Sequence, residues 1–331
     1  ILVNLSFVKS LLNNEGLDLN DHAVAVTSFP EKALEAGFKE HAIFQVPNGV
    51  GGRFSMWSHF GLGLVASLGI DAYEQLLAGA YKMDKHFLEE KLEMNLPYIL
   101  GLTRIWNRNV LNLQNLAIVP YENSLKFFPT WFQQVEMESN GKSLDALGNE
   151  LELPAAPLVF GEIGTESQHS FFQLLHQGTL ICPVDFIMTA NPVNTDVESH
   201  VLLNANCLAQ SESLAFGKGF DEVYRDMVDQ GLAISDAKRL APHRTFPGNR
   251  PSSTIMMRQL TPESLGALIA AYEHKVFTQG VIWNVNSYDQ WGVELGKEQC
   301  NALRPALHSG EASEFSSSTQ ETLRWLLQNR Y

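Results

Sequence analysis

Short apolar runs alternate with helical patterns along most of the sequence, and this alternation constrains the fold most strongly. Residues typical of strands occur in runs that are separated by segments with apolar residues at helical spacing. The runs that predict strands are Ala23–Thr27, Ala42–Val46, Ala117–Tyr121, Leu158–Phe160, Cys182–Met188, Ile255–Leu260 and Gly280–Val285. Strands that alternate with helices form parallel sheets. The sequence therefore predicts an α/β fold with a parallel sheet.

Helical periodicity and cap residues delimit the intervening elements. The segments that predict helices are Ile1–Leu12, Glu31–Gly37, Phe54–Leu68, Ala72–Glu93, Tyr98–Leu111, Leu125–Glu138, Phe171–His176, Ser199–Gly217, Pro262–Lys275 and Glu321–Gln328. Thr261 is expected to cap the helix after it, and Ser318 with Glu321 resembles a capping box. Turn residues make Ser139–Pro157 a hairpin or a loop, and Pro242–Ser253 an extended connection.

Charge and length exclude some classes of function. The formal net charge of −14 argues against nucleic-acid binding, because the chain has no basic stripe that would release counterions from phosphates. A small phosphorylated ligand needs only a few local donors and is not excluded. The polar residues Asn4, Ser6 and Lys9 interrupt the first apolar run, so we expect neither a signal peptide nor a membrane span there. A length of 331 residues fits about two domains.

Cysteine and histidine spacing bears on compartment and cofactors. Cys182, Cys207 and Cys300 are far apart and form no CxxC motif, which indicates a reducing, cytoplasmic compartment. His169 and His176 belong to no HExxH or His/Cys cluster. We therefore expect no metal site.

Arg53 follows two glycines in Val50–Ser58, VGGRFSMWS, ahead of an apolar segment. Glycines allow a ligand to approach the backbone closely, and the start of a helix offers free N–H groups to anions. Arg53 is thus a candidate for stabilising a phosphate or a negatively charged intermediate. The alternative is a tight turn that carries a surface arginine.

Gln134 and Glu138 are four residues apart and would share one face of a helix that Asn140-Gly141 ends. Glu138 would lie near the negative helix end and beside Glu136, and both effects disfavour its ionised form. This environment suits a general base. The alternative is a pair of exposed glutamates at a fraying helix end.

His200 and Lys297 are two further candidates in apolar surroundings. His200 opens the helix of VLLNANCLA, where histidines are usually partly buried and hydrogen-bonded. Lys297 ends the run Gly280–Lys297, whose large aromatic residues predict that the lysine lies against buried rings unless it reaches solvent. A structural role is the alternative for both.

Five motifs occur in the order and with the spacing of the glucose-6-phosphate isomerase family. They are VGGRFSMWS, MESNGK (Met137–Lys142), GEIGTESQHSFFQLLHQGT (Gly161–Thr179), GNRPSSTI (Gly248–Ile255) and SYDQWGVELGK (Ser287–Lys297). The resemblance extends from about Ala23 to about Leu307. It implies a sugar isomerase fold in which a doubly wound parallel sheet is flanked by helices. The implied domains are residues 1–70, the end of a first sugar isomerase domain; residues 71–288, a second one; and a C-terminal helical segment, residues 289–331.

The resemblance also implies a reaction and roles for the candidate residues. The family interconverts glucose 6-phosphate and fructose 6-phosphate, in glycolysis and gluconeogenesis, through a cis-enediol(ate) and without a cofactor. Glu138 is then the base, and Arg53 stabilises the enediolate. His200 and Lys297 match the ring-opening and positioning residues, and Gln134 matches a residue that contacts the sugar. The resemblance implies a homodimer in which His200 serves the neighbouring subunit's site.

Several positions depart from the family pattern. Ile163, Glu166 and Ser167 alter the usual turn sequence GEPGTNGQ, and Val201 follows His200 where a polar residue is common. The family's Gly-rich segment and Ser/Thr-rich loop, which hold the sugar phosphate, have no counterpart in the sequence. We therefore expect an N-terminally truncated isomerase with little activity of its own.

Two other functions are compatible with the same motifs. A non-catalytic module that binds sugar phosphates could reuse the fold. It would have no need of a base together with a ring-opening pair, so Arg53, Glu138, His200 and Lys297 favour an enzyme. A metal-dependent isomerase is a third possibility, which the lack of a ligand cluster disfavours.

Overall fold

The computed structural model describes residues 2–193 and 196–330, so Ile1, Asn194, Thr195 and Tyr331 lie outside the described part. The chain divides into two compact units, one that ends at Ser287 and one that begins at Tyr288. The strands are β1 (Ala25–Thr27), β2 (Ile43–Gln45), β3 (Asn115–Pro120), β4 (Leu158–Gly161), β5 (Val184–Asn191) and β6 (Ser252–Gln259). All of them belong to the first unit.

The helices of the first unit connect and cover these strands. They are α1 (Leu2–Asn14), α2 (Leu19–His22), α3 (Pro30–Glu35), α4 (Leu62–Leu68), α5 (Ile70–Glu89), α6 (Leu96–Ile105), α7 (Phe128–Asn140), α8 (Gly164–Gln168), α9 (Phe172–Gln177), α10 (Val197–Phe216), α11 (Phe220–Asp229), α12 (Ile234–Leu240) and α13 (Pro262–Trp283). Short 3-10 helices include Gly52–Trp57 and His59–Gly61, and Trp106–Val110 continues α6 as a π-helical turn.

The larger sheet of the first unit has four parallel strands in the order β4-β3-β5-β6. Strand β3 shows why it is buried on both faces. Leu116 and Ile118 point into the core formed with α7 and α13, whereas Ala117 and Val119 point into the core on the α9 and α10 side. Successive side chains of a strand alternate between faces, so each face needs its own helical layer. The predicted α/β fold with a parallel sheet flanked by helices is confirmed.

A second, two-stranded parallel sheet pairs β1 with β2. Both strands are short and only partly buried, and α3 lies between them in sequence. Ala33, Phe38 and Ala42 form the small core at this sheet, to which Leu5 of α1 adds a partly buried side chain. The predicted strand positions here are confirmed to within two residues.

The second unit consists of two helices and a short entry turn. A 3-10 turn, Trp291–Val293, leads into α14 (Glu294–Ser309), and α15 (Ser317–Gln328) follows. Gly310 ends α14 with a φ of 82°, the left-handed conformation that favours glycine after a helix. Ala306 and Leu323 are the buried apolar residues of this pair.

Three predicted elements are wrong in type or extent. Gly280–Val285 is not a strand, because α13 continues to Trp283 and stops at Asn284, whose φ is 55°. A short apolar run cannot be assigned to a strand or a buried helix by periodicity alone. Phe54–Leu68 is not one helix but two 3-10 turns followed by α4. The cap of α15 is Ser316, which accepts from the Thr319 N–H, and not Ser318.

Other elements agree with those predicted from the sequence, and some helices are additional to them. Thr261 caps α13 as predicted, in a reciprocal capping box with Ser264. Of the segment predicted as a hairpin or a loop, Ser139 and Asn140 still belong to α7, and residues 141–157 are a loop in which an antiparallel bridge joins Leu144 to Glu150. Helices α11 and α12 were not predicted. The division of residues 1–70, 71–288 and 289–331 into domains stays a prediction.

Candidate active site

Helix α7 presents Gln134 and Glu138 on one face, as their spacing predicts. The Gln134 Nε2 amide donates to Glu138 Oε2 over 3.1 Å. Gly141 ends the helix, and a Cβ at this position would lie 2.2 Å from the Met137 carbonyl oxygen. Glycine is thus required where the chain turns away, and Glu138 sits in the last turn of α7.

Arg53 lies on the 3-10 turn Gly52–Trp57, and its side chain is only 2% exposed. The alternative of a surface arginine is therefore wrong. The turn is fixed at its far end, because the Trp57 Nε1–H donates to Glu273 Oε2 over 2.8 Å and the Tyr73 hydroxyl donates to the Met56 carbonyl over 3.0 Å. These bonds hold the segment on α5 and α13.

Three groups that are far from Arg53 in sequence converge on its guanidinium. Nη1 lies 3.2 Å from Glu138 Oε2, Nε donates to Ser139 Oγ over 2.7 Å, and Nη2 donates to the Ser287 carbonyl over 2.6 Å. A planar guanidinium offers donors in a fixed fork, so several contacts fix its orientation. The arrangement joins the VGGRFSMWS and MESNGK motifs to the first residue of SYDQWGVELGK.

Ser139 and Ser287 are site residues that the sequence analysis missed. Both are buried, and each stands inside a motif that was recognised for other residues. The Ser287 hydroxyl donates to Asn140 Oδ1 over 2.6 Å, which fixes the carbonyl that Arg53 uses. Their positions within MESNGK and SYDQWGVELGK were the available signal.

The Glu138 carboxylate is the partly exposed side of this cluster. Its side chain is 23% exposed, whereas Arg53 beneath it is buried. Oε2 accepts from both Arg53 and Gln134, and Oε1 accepts no hydrogen bond within residues 2–193 and 196–330. A carboxylate oxygen thus faces solvent while the other is held in place.

Glu136 does not act as the exposed like charge that the sequence suggests. Its side chain is 0% exposed, and Oε2 accepts from the Lys275 Nζ over 3.0 Å. The alternative of two exposed glutamates at a fraying helix end is therefore wrong.

The glycines of two motifs differ in how much space surrounds them. A Cβ at Gly164 would lie 2.4 Å from the Tyr121 ring, so packing requires glycine at the first residue of α8. A Cβ at Gly51 or Gly52 would meet no atom within 4 Å. The fold itself leaves space beside these two glycines, next to Arg53.

Burial changes the electrostatics of α13 behind the site. Burial raises the pKa of Glu273 to about 8, against which the hydrogen bond from Trp57 acts, and nearby Asp84 raises it further. Burial lowers the pKa of Lys275 to about 8, and Glu136 opposes this shift. Burial therefore favours the uncharged form of both groups.

His200 lies in the first turn of α10 and is 4% exposed. Its Nε2 is 2.9 Å from the Thr189 carbonyl oxygen in β5, to which Asn204 Nδ2 also donates. No hydrogen bond within the described residues joins it to Gln134 or Glu138. This agrees with the alternative of a buried, hydrogen-bonded histidine, and the ring-opening role stays a prediction.

Lys297 belongs to the second unit, on α14. Its side chain is 62% exposed, and Nζ donates to Glu294 Oε1 over 2.8 Å. Trp291 and Tyr288 are exposed as well, and Trp283 is buried in the first unit. Of the two outcomes that the sequence allows for Lys297, contact with buried aromatic rings or a side chain that reaches solvent, the structure shows the second.

The described residues form neither a metal-binding group nor a membrane-spanning helix. Across residues 2–193 and 196–330, no three or more His, Cys, Asp or Glu side chains are grouped in a way that would hold a metal ion. Within the same part of the chain, no helix combines the length and apolar character that crossing a bilayer demands.

Comparisons with known proteins agree with the motifs. The family model described as phosphoglucose isomerase matches residues 2–323. A glucose-6-phosphate isomerase of Alteromonas mediterranea is 45% identical over 308 residues, which cover 92% of this chain and 56% of the relative. One of Beijerinckia indica subsp. indica is 47% identical over 293 residues, covering 88% and 54%.

A solved structure is similar as well. The crystal structure of a glucose-6-phosphate isomerase from Chlamydia trachomatis D/UW-3/Cx superposes with a TM-score of 0.80 at 35% identity, covering 98% of this chain and 59% of that one. The chain spans about half the length of the curated relatives it matches. The family model covers far more than half of the chain. The chain belongs to the phosphoglucose isomerase family.

Proposed function

We propose that this chain is part of a glucose-6-phosphate isomerase that interconverts glucose 6-phosphate and fructose 6-phosphate. The observation that carries the proposal is the contact between Arg53 Nη1 and Glu138 Oε2, 3.2 Å apart, with the cation buried and the carboxylate partly exposed. The names of the relatives and the five motifs support the same reaction.

Glu138 performs the proton transfer in this proposal. Its carboxylate removes the C2 proton of the open-chain aldose, the C2–H electron pair forms the C1–C2 double bond, and negative charge develops on O1. A proton then moves from the O2 hydroxyl to O1, and the same carboxyl group returns the first proton to C1 as the C2=O bond forms, which gives the ketose. Oε1, which accepts no hydrogen bond in the described part of the chain, is the oxygen available for this transfer.

Arg53 supplies the electrostatic half of the reaction. Its bonds to Ser139 and Ser287 hold the guanidinium in place before substrate binds. Donors that are already oriented stabilise developing charge without reorganising. Gln134 fixes Oε2 of the base and is proposed to contact the sugar, and Lys297 is proposed as a positioning residue.

Two histidines compete for the ring-opening role. His200 is held by the Thr189 carbonyl and is buried in its own subunit, so reaching a neighbour would require it to leave that bond. His169 lies in GEIGTESQHSFFQLLHQGT, is exposed, and its ring makes no hydrogen bond within the described residues. We therefore propose His169 for the role that the motif resemblance implied for His200, and comparing His169→Ala with His200→Ala decides between them.

A homodimer is the proposed assembly, and the cytoplasm the proposed location. Helix α10 leaves Val197, Val201, Leu202 and Leu208 exposed, an apolar surface of the kind that a second subunit covers. Cys182, Cys207 and Cys300 are free thiols, as expected in a reducing compartment.

The experiment is a direct assay of isomerisation by the complete product of the reading frame. We expect conversion of fructose 6-phosphate to glucose 6-phosphate, detected by NMR, and no change on addition of a chelator. Binding of fructose 6-phosphate without conversion would contradict the proposal and would favour a binding module. The 331-residue chain is assayed in parallel, and we expect little activity from it.

A further inference from the structure

Helix α7 has a second face that never meets the proposed substrate. Phe132 and Glu136 are four residues apart and fully buried, whereas Gln134 and Glu138 are partly or fully exposed. Residues two positions apart on an α-helix point in nearly opposite directions, because each residue turns the helix by about 100°. The direction of Glu138 is therefore set by whatever holds the buried face.

Lys275 of α13 holds that face at two successive turns. Its Nζ donates to Glu136 Oε2 over 3.0 Å and lies 4.2 Å from the centre of the Phe132 ring. The next turn is held too, because Asn140 Nδ2 donates to the Val276 carbonyl over 3.0 Å. Lys275 and Val276 are neighbours on α13, so one short segment of α13 binds the last two turns of α7.

The contact between Lys275 and Glu136 requires both charged groups to be buried, and packing alone does not explain why they are retained. Lys275 and Glu136 are both 0% exposed, and burial lowers the pKa of the lysine. The charged groups near Lys275 are Glu136 on α7 and Arg104 on α6, and Arg104 in turn pairs with Asp185 of β5. A buried ion pair contributes little net stability compared with apolar residues of the same volume. A geometric role accounts for it better.

We infer that Lys275 is a positioning residue for the proposed reaction: by binding Glu136 and Phe132 it fixes the rotation of α7, and thereby directs Glu138 toward Arg53. The inference rests on the proposed function. It predicts that the length of the side chain at position 136 matters more than its charge, since length sets where α7 is held.

Two conservative variants separate the effect of side-chain length at position 136 from the effect of its charge. Glu136→Asp keeps the charge and draws α7 toward Lys275 by one methylene; Glu136→Gln keeps the length and the hydrogen bond. We expect Glu136→Asp to lower kcat about tenfold at unchanged KM, and Glu136→Gln to keep kcat within about threefold. Equal losses in both variants, or none in Glu136→Asp, would overturn the inference. A purely structural role would lower the thermal midpoint without this split between the variants.

Crystal structures of both variants provide a readout that does not depend on activity. We expect the contact between Arg53 Nη1 and Glu138 Oε2, 3.2 Å in the parent, to open in Glu136→Asp and to persist in Glu136→Gln. An unchanged contact in both would overturn the inference. The kinetic measurements use the complete product of the reading frame. Absence of isomerase activity in that unaltered protein would instead overturn the proposed function, while the two structures still decide the role of Lys275.

Discussion

At the scale of the residue, Arg53 shows how a single side chain joins distant parts of the sequence. Its partners Glu138 and Ser287 are 85 and 234 positions away. The guanidinium is buried, so its bonds are strong and its removal would leave buried acceptors unpaired. Because these bonds depend on the geometry of the donors, replacing Arg53 with lysine tests the role of the guanidinium directly.

Arg53→Lys is expected to lower kcat about a hundredfold at nearly unchanged KM, because an ammonium cannot reproduce the fork that faces Ser139, Glu138 and Ser287. Steady-state kinetics with fructose 6-phosphate measure this. Arg108→Lys is the control, since Arg108 donates to the Ala155 carbonyl on another part of the first unit. A kcat within twofold of the parent would speak against electrostatic stabilisation by Arg53.

A second prediction at the same scale concerns Gly164. Gly164→Ala would bring a methyl group within 2.4 Å of the Tyr121 ring, and we expect a loss of about 1–3 kcal/mol in the free energy of unfolding. Gly63→Ala is the matched control: it lies inside α4, a Cβ there meets nothing within 4 Å, and we expect a gain of about 0.5–1 kcal/mol. Urea unfolding measures both. Equal effects would show that packing against Tyr121 is not the cause.

At the scale of the element, α13 connects the proposed site to the core. It holds α7 through Lys275 and through the Val276 carbonyl, which accepts from Asn140, and it holds the Arg53 turn through the bond between Glu273 and Trp57. Both halves of the proposed site therefore depend on one helix.

The raised pKa of Glu273, about 8, predicts a dependence of stability on pH. The folded protein binds this proton more tightly than the unfolded chain, whose value is near 4.5. Stability from this group is therefore present below pH 4.5 and is lost as pH rises to about 8, with a slope of about 1.4 kcal/mol per pH unit.

Glu273→Gln removes this titration and keeps an acceptor for the Trp57 N–H. We expect the variant to gain stability over the parent as pH rises from 5 to 8, measured by urea unfolding at each pH. Glu263→Gln, an exposed position on the same helix, is the control. Parallel pH profiles for parent and Glu273→Gln would contradict the prediction.

The sequence predicts elements well where local pattern and burial agree. Strands β3 and β5 are apolar runs bounded by turns, and both were expected. The end of α13 was mistaken for a strand, because Val281-Ile282-Trp283 has the same apolar character in either structure and only the packing of a long helix decides.

The proposed site was predictable only in part, for a similar reason. The contact between Gln134 and Glu138 follows from helical spacing, and the structure confirms it. The contact between Arg53 and Glu138 depends on how the Gly52–Trp57 turn folds onto α7, which no local pattern encodes. Burial of Glu136 was missed because its partner, Lys275, is 139 positions away.

At the scale of the whole molecule, the proposed dimer predicts that each active site contains residues from both subunits. Two inactive variants, one altered at Glu138 and one at His169, would form mixed dimers with one intact site if the histidine acts across the interface. Random mixing then restores about a quarter of the parent activity. The control pair combines Glu138→Gln with Arg53→Lys, which belong to one subunit's site and should restore nothing.

The same experiment distinguishes the two histidines. Recovery with His169→Ala supports the exposed residue, whereas recovery with His200→Ala supports the residue that the motif resemblance implied. No recovery with either variant, in a protein shown by light scattering to be dimeric, would contradict a site shared between subunits.

The most direct test of the central claim is exchange of the C2 proton. Glu138→Gln and the parent are incubated with glucose 6-phosphate in D2O, and deuterium at C2 is followed by NMR; Glu152→Gln, at an exposed loop position, is the control. The account predicts exchange in the parent and the control, and a loss of at least about a thousandfold in Glu138→Gln with ligand binding retained. Exchange at the parent rate in Glu138→Gln would contradict it.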